Sequence, residues 1–154
     1  MKIYHLESSQ TVQAPLVKVF EFFSKPENLE KLTPSNLKFR ILTPSPISME
    51  KGRLIEYAIQ ISGFSQRWTT LITEFDPPHR FVDECLKGPY SMWHHTHEFQ
   101  SVKEGTLIVD KVRYIMPFGF LGRWIHFLFV RFQLKHIFKY CKSIIQKLFD
   151  KTSS

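Results

Sequence analysis

The pattern of hydrophobic and polar positions predicts a largely extended chain that ends in a long helix. Seven segments are rich in β-forming residues and are bounded by turn residues. They are residues 2–13, 37–43, 53–62, 65–76, 79–87, 90–101 and 105–116. Short separators such as DPP, KGP and VKEG favour pairing of sequential strands as an antiparallel meander. Such a sheet buries one face and exposes the other.

Three helices are predicted around this sheet. Pro15 opens the stretch LVKVFEFF, whose apolar residues recur at helical spacing, and a short helix ENLEKL follows between Pro26 and Pro34. From Phe120 to Asp150 the chain has no proline and a single glycine, which predicts a helix of about 29 residues and about 43 Å. The pattern therefore predicts an α+β fold over a single domain, residues 1–154, in which a curved antiparallel sheet of about seven strands wraps the long C-terminal helix.

The last helix carries two sets of apolar residues. The first recurs at spacings of three and four and predicts the face that packs on the sheet. Its members are Phe120, Trp124, Phe127, Val130, Leu134, Phe138, Cys141, Ile145 and Leu148. The second set is Ile125, Leu128, Phe129 and Phe132. Because one sheet cannot cover both sets, we expect the second to pack against a second copy of the chain, the loop 43–52, or a membrane surface.

The composition indicates an interior built from large, flat side chains. The chain has 15 Phe, 5 Tyr and 3 Trp, and a bulky apolar molecule would fit among such rings. The two cysteines, Cys85 and Cys141, lie far apart and outside any CxxC spacing, so we expect neither a disulfide scaffold nor a zinc site, and no cofactor. The N-terminal MKIYHLESSQ lacks the pattern of a secretory signal, which favours a cytoplasmic protein.

The formal net charge of +7 is concentrated on the last helix. From Leu121 onward a single acid, Asp150, accompanies the basic residues Arg123, Arg131, Lys135, Lys139, Lys142, Lys147 and Lys151. A basic stripe attracts anionic lipid, nucleic acid or acidic protein, but a solvated helix face is the commoner interpretation. No nucleic-acid-binding motif accompanies the stripe, so we expect no nucleic-acid partner. The charges also leave no uncharged window of about 20 residues, so we expect no membrane span.

Three motifs carry a resemblance to a known superfamily. FDPPHRFVDE (75–84), GPYSMWHHTHEF (88–99) and DKVRYIMPFG (110–119) resemble the bacterial ligand-binding group of the START-related SRPBCC superfamily, in which a W-x-H-x-H-x-F strand recurs. The element order along the whole chain is similar to its helix-grip, birch-pollen-allergen-like fold. The resemblance implies a hydrophobic cavity between the sheet and the long helix. It does not fix the function, because the superfamily includes lipid carriers, cyclases, hydrolases and co-chaperone-like modules.

The W-x-H-x-H-x-F strand is expected to bring polar groups to the cavity wall. Side chains alternate along a strand, so the four motif residues share one face. They are Trp93, His95, His97 and Phe99. A hairpin turn at residues 102–105 would then set His97 opposite Asp110 and Trp93 opposite Tyr114. A histidine that faces a carboxylate on an apolar wall is held as imidazolium or fixed in one tautomer.

Three interpretations of His95, His97 and Asp110 stay open. They form a buried network that satisfies its own hydrogen bonds, or they anchor the polar end of an otherwise apolar ligand. In the third interpretation His97 and Asp110 act as a general base pair, or both histidines and Asp110 hold a metal. H-x-H on a strand is a weak metal signal, and no nucleophile or oxyanion donor is identifiable nearby, so we expect no metal and assign no catalytic residue.

The sequence thus predicts binding or carriage of a small hydrophobic or amphipathic ligand, such as a lipid, a fatty acid, or an aromatic or polyketide-like compound. The residues expected to contact it are Tyr57, Trp68, Trp93, His95, His97, Asp110, Tyr114, Trp124, Phe127 and Arg131. Arg131 lies at the edge of the helix stripe and either extends to water or meets an acidic ligand group. One alternative is a cyclase, aromatase or hydrolase that uses the His/Asp cluster. Another is a protein-interaction module that uses the basic helix at Lys135, Lys139 and Lys142.

Overall fold

The computed structural model describes residues 1–61 and 63–150, and these form a curved antiparallel sheet of seven strands. The strands are β1 (Tyr4–Val12), β2 (Arg40–Ile41), β3 (Leu54–Ile61), β4 (Phe64–Asp76), β5 (Arg80–Lys87), β6 (Met92–Val102) and β7 (Gly105–Ile115). Their order across the sheet is β1-β7-β6-β5-β4-β3-β2. The predicted meander is therefore confirmed, and the first strand extends it by pairing with the last.

The helices also follow the predicted order. Helix α1 (Leu16–Phe23) is followed by a single 3₁₀ turn and α2 (Leu29–Leu32), and the last helix consists of α3 (Gly119–Ile125), a π-helical segment (His126–Val130) and α4 (Arg131–Asp150). The π-helical segment is the part that the sequence pattern did not predict. Among the described helices, none combines the length and the hydrophobicity needed to cross a bilayer.

The strand register decides which side chains face α4. Between β6 and β7, His97 lies opposite Asp110 and Trp93 lies opposite Tyr114, as the hairpin spacing predicted. Between β4 and β5 the register shifts twice. Such irregularities bend a strand and increase its twist, and here they help to curve the sheet around the helix.

The main core holds one end of α4 against the sheet and α1. Val19 and Phe20 of α1, Phe99 of β6, and Ile145 and Phe149 of α4 belong to one buried cluster. Burial of side chains of this size stabilises the fold by roughly 1.5–3 kcal/mol each. The C-terminal half of the last helix is thus fixed to the body of the protein.

Two glutamine side chains add polar links between α4 and β1. The Nε2 of Gln10 donates to the carbonyl of Lys142 at 3.1 Å, and the Nε2 of Gln146 donates to the carbonyl of Thr11 at 3.1 Å. Together with the apolar cluster, these bonds set the distance between the helix and the edge strand.

The phase of the last helix differs from the prediction in its first turns. Phe120, Trp124 and Phe127 are 77%, 61% and 54% exposed, whereas Gly122 and His126 are buried. A π-helical turn contains more residues than an α-helical turn. The inward position therefore falls on His126 and not on Phe127.

From Leu134 onward the predicted stripe does face the sheet. Leu134 and Ile145 are buried, and Phe138 and Cys141 are half-buried. At the C-terminal end the buried position is Phe149, one residue later than predicted.

The second apolar set of the helix is not covered by the loop 43–52. Ile125, Leu128, Phe129 and Phe132 are 38–68% exposed, while Ile47 of that loop packs with Ile55 and Ile72. Because neighbouring strands are antiparallel, the connection between β2 and β3 lies at the end of the sheet opposite to the start of the last helix. Loop packing as an explanation for this set is therefore wrong.

Candidate functional site

A cavity of about 240 Å³ lies between the inner face of the sheet and α4. Its walls come from β1, from β3 to β7, from the short helices, and from α4 between Gln133 and Ile145. Most of the lining is aliphatic or aromatic. Small-molecule pockets in proteins typically span roughly 300–1,000 Å³. This cavity lies just below that range and therefore suits a small ligand.

One wall of the cavity is aromatic. Tyr57 and Trp68 face each other across β3 and β4, and the Trp68 ring lies edge-on to Trp93 at 5.4 Å and to Tyr90 at 5.7 Å between ring centroids. The Tyr57 hydroxyl is hydrogen-bonded to Oγ1 of Thr70 at 2.5 Å. The indole N–H of Trp68 is buried and has no hydrogen-bond partner among the described residues. An unpaired buried donor is costly.

The neighbouring wall carries four polar side chains in direct contact. Nε2 of His97 lies 2.6 Å from Oδ2 of Asp83, and Nδ1 of His97 lies 3.2 Å from Oδ1 of Asp110. Nε2 of His95 lies 2.9 Å from the same oxygen of Asp110. The two imidazole rings are stacked with centroids 3.7 Å apart. We call Asp83, His95, His97 and Asp110 the His/Asp cluster.

The geometry fixes the protonation of His97. Both of its ring nitrogens face carboxylate oxygens, which only accept hydrogen bonds when ionised, so both nitrogens carry protons and the ring is an imidazolium. Burial lowers the pKa of His97, but the bonds to Asp110 and Asp83 outweigh it and raise that pKa to about 9. Burial raises the carboxyl pKa values, but the histidines hold the pKa of Asp83 and that of Asp110 below their ordinary values. The cluster is therefore an ionic network at neutral pH.

His95 differs from His97 in having a ring nitrogen to spare. Its Nε2–H donates to Asp110, and its Nδ1 has no hydrogen-bond partner among the described residues. A neutral imidazole presents such a nitrogen as an acceptor. The second oxygens of Asp83 and Asp110 are acceptors as well. The Nε2–H of His95 and both N–H groups of His97 are used within the cluster, so the carboxylate oxygens left over are the acceptors that it offers to the cavity.

The same side chains include a set with metal-ligand chemistry. One ligand atom each from Asp83, His95 and His97 lie within 4.8 Å of one another, so the two-histidine, one-carboxylate set contains Asp83 where the sequence suggested Asp110. Binding an ion would require His97 to lose a proton that it shares with a carboxylate. Its raised pKa opposes that loss.

The structure brings together six of the ten predicted contact residues. Those that line the cavity are Tyr57, Trp68, Trp93, His95, His97 and Asp110. The other four, Tyr114, Trp124, Phe127 and Arg131, do not line it. Trp124, Phe127 and Arg131 lie elsewhere because the phase of the helix changes. Tyr114 lies under the first turns of the helix, at the end of the sheet.

Tyr114 is buried against the helix and not open to the cavity. Its hydroxyl lies 2.6 Å from Nε2 of His126, and its ring packs against those of Tyr4 and Trp93. Trp124 and Phe127 point to solvent, as described above. The guanidinium of Arg131 lies over the Phe127 ring at 4.2 Å and the Phe132 ring at 4.5 Å.

Sequence reasoning missed Asp83 and Tyr90. Asp83 alternates with Phe81 and Cys85 on β5, which is the signal that could have placed it on the inner face. The connection between β5 and β6 has four residues, 88–91, so the sequence alone does not show which residue of β6 lies opposite Asp83. In the structure Asp83 pairs with His95. Tyr90 belongs to that connection, where no alternation predicts a direction.

Comparisons with known proteins agree with this architecture. Residues 12–135 match the family described as polyketide cyclase / dehydrase and lipid transport. No curated protein matches the sequence significantly.

Solved structures share the fold at low sequence identity. TTHA0849 from Thermus thermophilus has a TM-score of 0.76 at 16% identity, over 98% of this chain and 100% of that one. Protein CV1439 from Chromobacterium violaceum has a TM-score of 0.74 at 13% identity, over 95% and 97% of the two chains. The ginseng major latex-like protein 151 from Panax ginseng has a TM-score of 0.70 at 11% identity, over 96% and 97%. With the helix-grip architecture confirmed and the family match spanning most of its length, the chain belongs to the polyketide cyclase / dehydrase and lipid transport family of SRPBCC proteins.

Proposed function

We propose that this protein binds and carries a small hydrophobic or amphipathic molecule in the cavity beneath α4. The observation that carries the proposal is the cavity itself, about 240 Å³ of mostly apolar lining with polar groups at one wall. A ligand that fills this apolar space would gain packing contacts with its lining. Apolar pockets with a few convergent polar groups are the usual architecture of small-molecule sites.

The polar groups narrow the chemistry of the ligand. Because the His/Asp cluster uses its donors internally, a hydroxyl group that donates a hydrogen bond fits it better than a carboxylate, which only accepts. The class that satisfies this wall is an apolar or aromatic alcohol or phenol.

The first experiment is native mass spectrometry of the gently purified protein, followed by denaturing extraction. Binding is measured in parallel with the neutral fluorescent dye N-phenylnaphthylamine. In Ile59→Trp the new ring would occupy the cavity, and in the matched control Leu54→Trp it would lie on the exposed side of the same strand. We expect Ile59→Trp to weaken dye binding about tenfold or more, a loss of about 1.4 kcal/mol, and Leu54→Trp to leave it unchanged.

Two negative results together would overturn carriage. If the native protein carries no small molecule, and if the dye binds neither the natural chain nor Leu54→Trp, the cavity is not a binding site. Equal dye binding by Ile59→Trp and the natural chain would place the dye elsewhere and contradict the proposal as well.

Ligand polarity is tested separately with decanol and decanoate, which share one apolar chain. We expect decanol to displace the dye at a concentration about tenfold lower than decanoate near pH 7, because the carboxylate would be placed against acceptors. If decanoate displaces the dye equally well or better, the preference for a hydroxyl donor is wrong, while the binding site itself stands.

Proton transfer on a bound ligand is a second candidate function. The observation that favours it is the dyad of His95 and Asp110, in which Asp110 fixes the tautomer and Nδ1 is left to accept a proton. His97 is unsuited to this role because both of its nitrogens are engaged. Hydrogen–deuterium exchange at the acidic C–H of a bound cyclic diketone would measure the activity. Loss of exchange in His95→Gln with retained dye binding supports proton transfer, and unchanged exchange contradicts it.

A further inference from the structure

The start of the C-terminal helix carries a large exposed apolar surface. Between residues 118 and 132, six aromatic side chains are more than half exposed: Phe118, Phe120, Trp124, Phe127, Phe129 and Phe132. An aromatic side chain offers roughly 150–250 Å², so these rings leave roughly 600 Å² or more in contact with solvent. The largest apolar patch on a typical monomer covers roughly 300–600 Å² and is often functional. We call residues 118–132 the aromatic helix surface.

The fold itself does not cover this surface. Gly122 and His126 are the buried positions in residues 118–132, and His126 is held by the Tyr114 hydroxyl. All the large apolar side chains of α3 and most of those in the π-helical segment therefore point away from the sheet. The loop 43–52 lies at the other end of the sheet, as shown above, and cannot reach them.

The charge around the surface has one sign. Between Lys111 and Phe149 the sequence contains no Asp or Glu. Arg123 is exposed within residues 118–132, and Lys135 and Lys139 are exposed on the next turns of α4. A surface of this kind attracts an anionic partner and repels a cationic one.

Arg131 places a cation within the aromatic helix surface. Its guanidinium lies over the rings of Phe127 and Phe132 at 4.2 and 4.5 Å. Its Nε is buried, and no hydrogen bond or ion pair to the described residues engages this guanidinium. A phosphate group would supply acceptors for its two terminal nitrogens, since guanidinium binds phosphate oxygens in a forked geometry.

We propose that the aromatic helix surface docks this protein on an anionic lipid bilayer, with the rings in the interfacial region and the basic residues at the phosphates. Tryptophan and phenylalanine beside lysine and arginine are the composition of helices that lie in this interface. A second copy of the chain is the less suitable occupant, because it would bring a second set of basic residues, without acids on the same element, against the first.

The docking surface lies next to the cavity along the chain. The aromatic helix surface ends at Phe132, and the cavity lining on α4 begins at Gln133. The turn between β3 and β4 lies at the same end of the sheet and carries Phe64, which is 71% exposed. Docking would therefore bring one end of the cavity towards the lipid. The proposal does not depend on the cavity being a binding site.

The test uses flotation of the full chain with phosphatidylcholine vesicles, with and without about 30% phosphatidylglycerol. We expect flotation with the anionic vesicles and about tenfold less with the neutral ones, because the basic residues contribute at the membrane surface. Trp124 reports insertion directly, since its emission would shift to the blue and be quenched by brominated lipid. Trp124→Phe removes this shift while leaving flotation in place.

A matched pair of double variants separates ring insertion from charge. Trp124→Asp with Phe129→Asp changes the aromatic helix surface, and Val17→Asp with Leu54→Asp makes the same charge change at exposed apolar residues near the opposite end of the sheet. We expect the first to lose flotation about tenfold or more and the control to lose less than about threefold. Both should keep N-phenylnaphthylamine binding if the cavity binds the dye, so failure of docking and failure of carriage are distinguishable.

Three results would overturn the proposal. In the first, neither vesicle type floats the protein and the Trp124 emission is unchanged. In the second, flotation survives both aspartates but disappears in half-molar salt, which shows adsorption by charge alone. In the third, sedimentation shows a dimer without lipid that dissociates in Trp124→Asp with Phe129→Asp, which assigns the surface to a second copy. Should the double variant fail to fold, the Trp124 emission and its quenching decide the question in the natural chain.

Discussion

At the scale of single residues, His97 decides the character of the cavity wall. Its imidazolium lies between Asp83 of β5 and Asp110 of β7 and so connects three neighbouring strands. The side chains are only 13%, 15% and 20% exposed, and charges at such positions persist because each has a partner. Removing the cation would leave two carboxylates close together in a poorly solvated site. The ionic network is thus a condition for the cavity wall to hold its shape.

The raised pKa of His97 makes stability depend on pH with a definite sign. The folded-state pKa is about 9 against an ordinary value of 6.5, so this stabilisation is complete below about pH 6.5 and is lost as the pH rises through about 9. We expect the free energy of unfolding to fall by on the order of 3 kcal/mol over that range. Urea denaturation at about pH 6 and about pH 10 measures it.

Two histidine variants of β6 test whether His97 causes this loss of stability at alkaline pH. His97→Gln should abolish the alkaline loss, whereas His94→Gln, on the outer face of β6 and beside Glu84, should keep it. An unchanged alkaline slope in His97→Gln would contradict the imidazolium assignment.

The lowered pKa values of Asp83 and Asp110 give stabilisation that is present above about pH 4 and is lost as the pH falls further.

The hydrogen bond between Tyr114 and His126 is expected to fix the start of the last helix. The Tyr114 hydroxyl and Nε2 of His126 lie 2.6 Å apart and form a buried hydrogen bond. Burial, followed by the charge of Tyr4, raises the pKa of Tyr114 to about 12, so the hydroxyl keeps its proton at neutral pH. Tyr114→Phe leaves the buried nitrogen without a partner and should cost about 1–3 kcal/mol. Tyr90→Phe is the control, because the Tyr90 hydroxyl has no hydrogen-bond partner among the described residues. Its cost in urea denaturation should stay within about 0.5 kcal/mol.

How much of the cluster the sequence predicts depends on the length of the connections. The turn at residues 102–105 is tight, so counting along β6 and β7 places His97 opposite Asp110 correctly. The connection between β5 and β6 is longer, and two bulges interrupt the pairing of β4 with β5. A shift of one residue exchanges the two faces of a strand, so Asp83 could not be assigned to His97 without the structure.

At the scale of elements, the last helix behaves as two helices joined by a π-helical segment. Its position on the sheet end depends on Gly122, which is buried against the carbonyl of Pro117. A regular period of 3.6 residues predicts the inward face of α4 from Leu134 to Ile145 correctly but assigns Trp124 and Phe127 to the wrong side. The wider turn cannot be read from spacing, because its buried position is His126, which bonds to Tyr114 and which the hydrophobic pattern treats as neutral.

Replacing Gly122 tests whether this close approach positions the helix. A Cβ at Gly122 would lie 1.8 Å from the carbonyl oxygen of Pro117, so the backbone of the junction must move. We expect Gly122→Ala to cost more than about 2 kcal/mol and to lower Tm by roughly 5 °C or more. Gly119→Ala is the control, since its Cβ meets open space and only the positive φ of +54° is strained. That strain costs roughly 1–2 kcal/mol, and an equal Tm for the two variants would contradict the packing argument.

At the scale of the whole molecule, the last helix is held firmly at one end and exposed at the other. Residues from Leu134 to Phe149 contribute to two buried clusters, whereas residues 118–132 present most of their apolar side chains to solvent. The cavity lies under the held part. This division separates the part of the helix that covers the cavity from the aromatic helix surface.

The division predicts a gradient of hydrogen exchange along one continuous helix. Local opening is easiest where few apolar side chains are buried, so we expect amides of residues 119–132 to exchange about tenfold faster or more than those of residues 134–149. Exchange measured by mass spectrometry on overlapping peptides resolves the two stretches. Anionic vesicles should slow exchange in residues 119–132 and leave residues 134–149 unchanged, whereas neutral vesicles should affect neither. Equal protection of both stretches without lipid would mean that another surface already covers the aromatic rings. A vesicle effect confined to residues 134–149 would place the lipid contact at the basic turns of α4 and not at the aromatic helix surface.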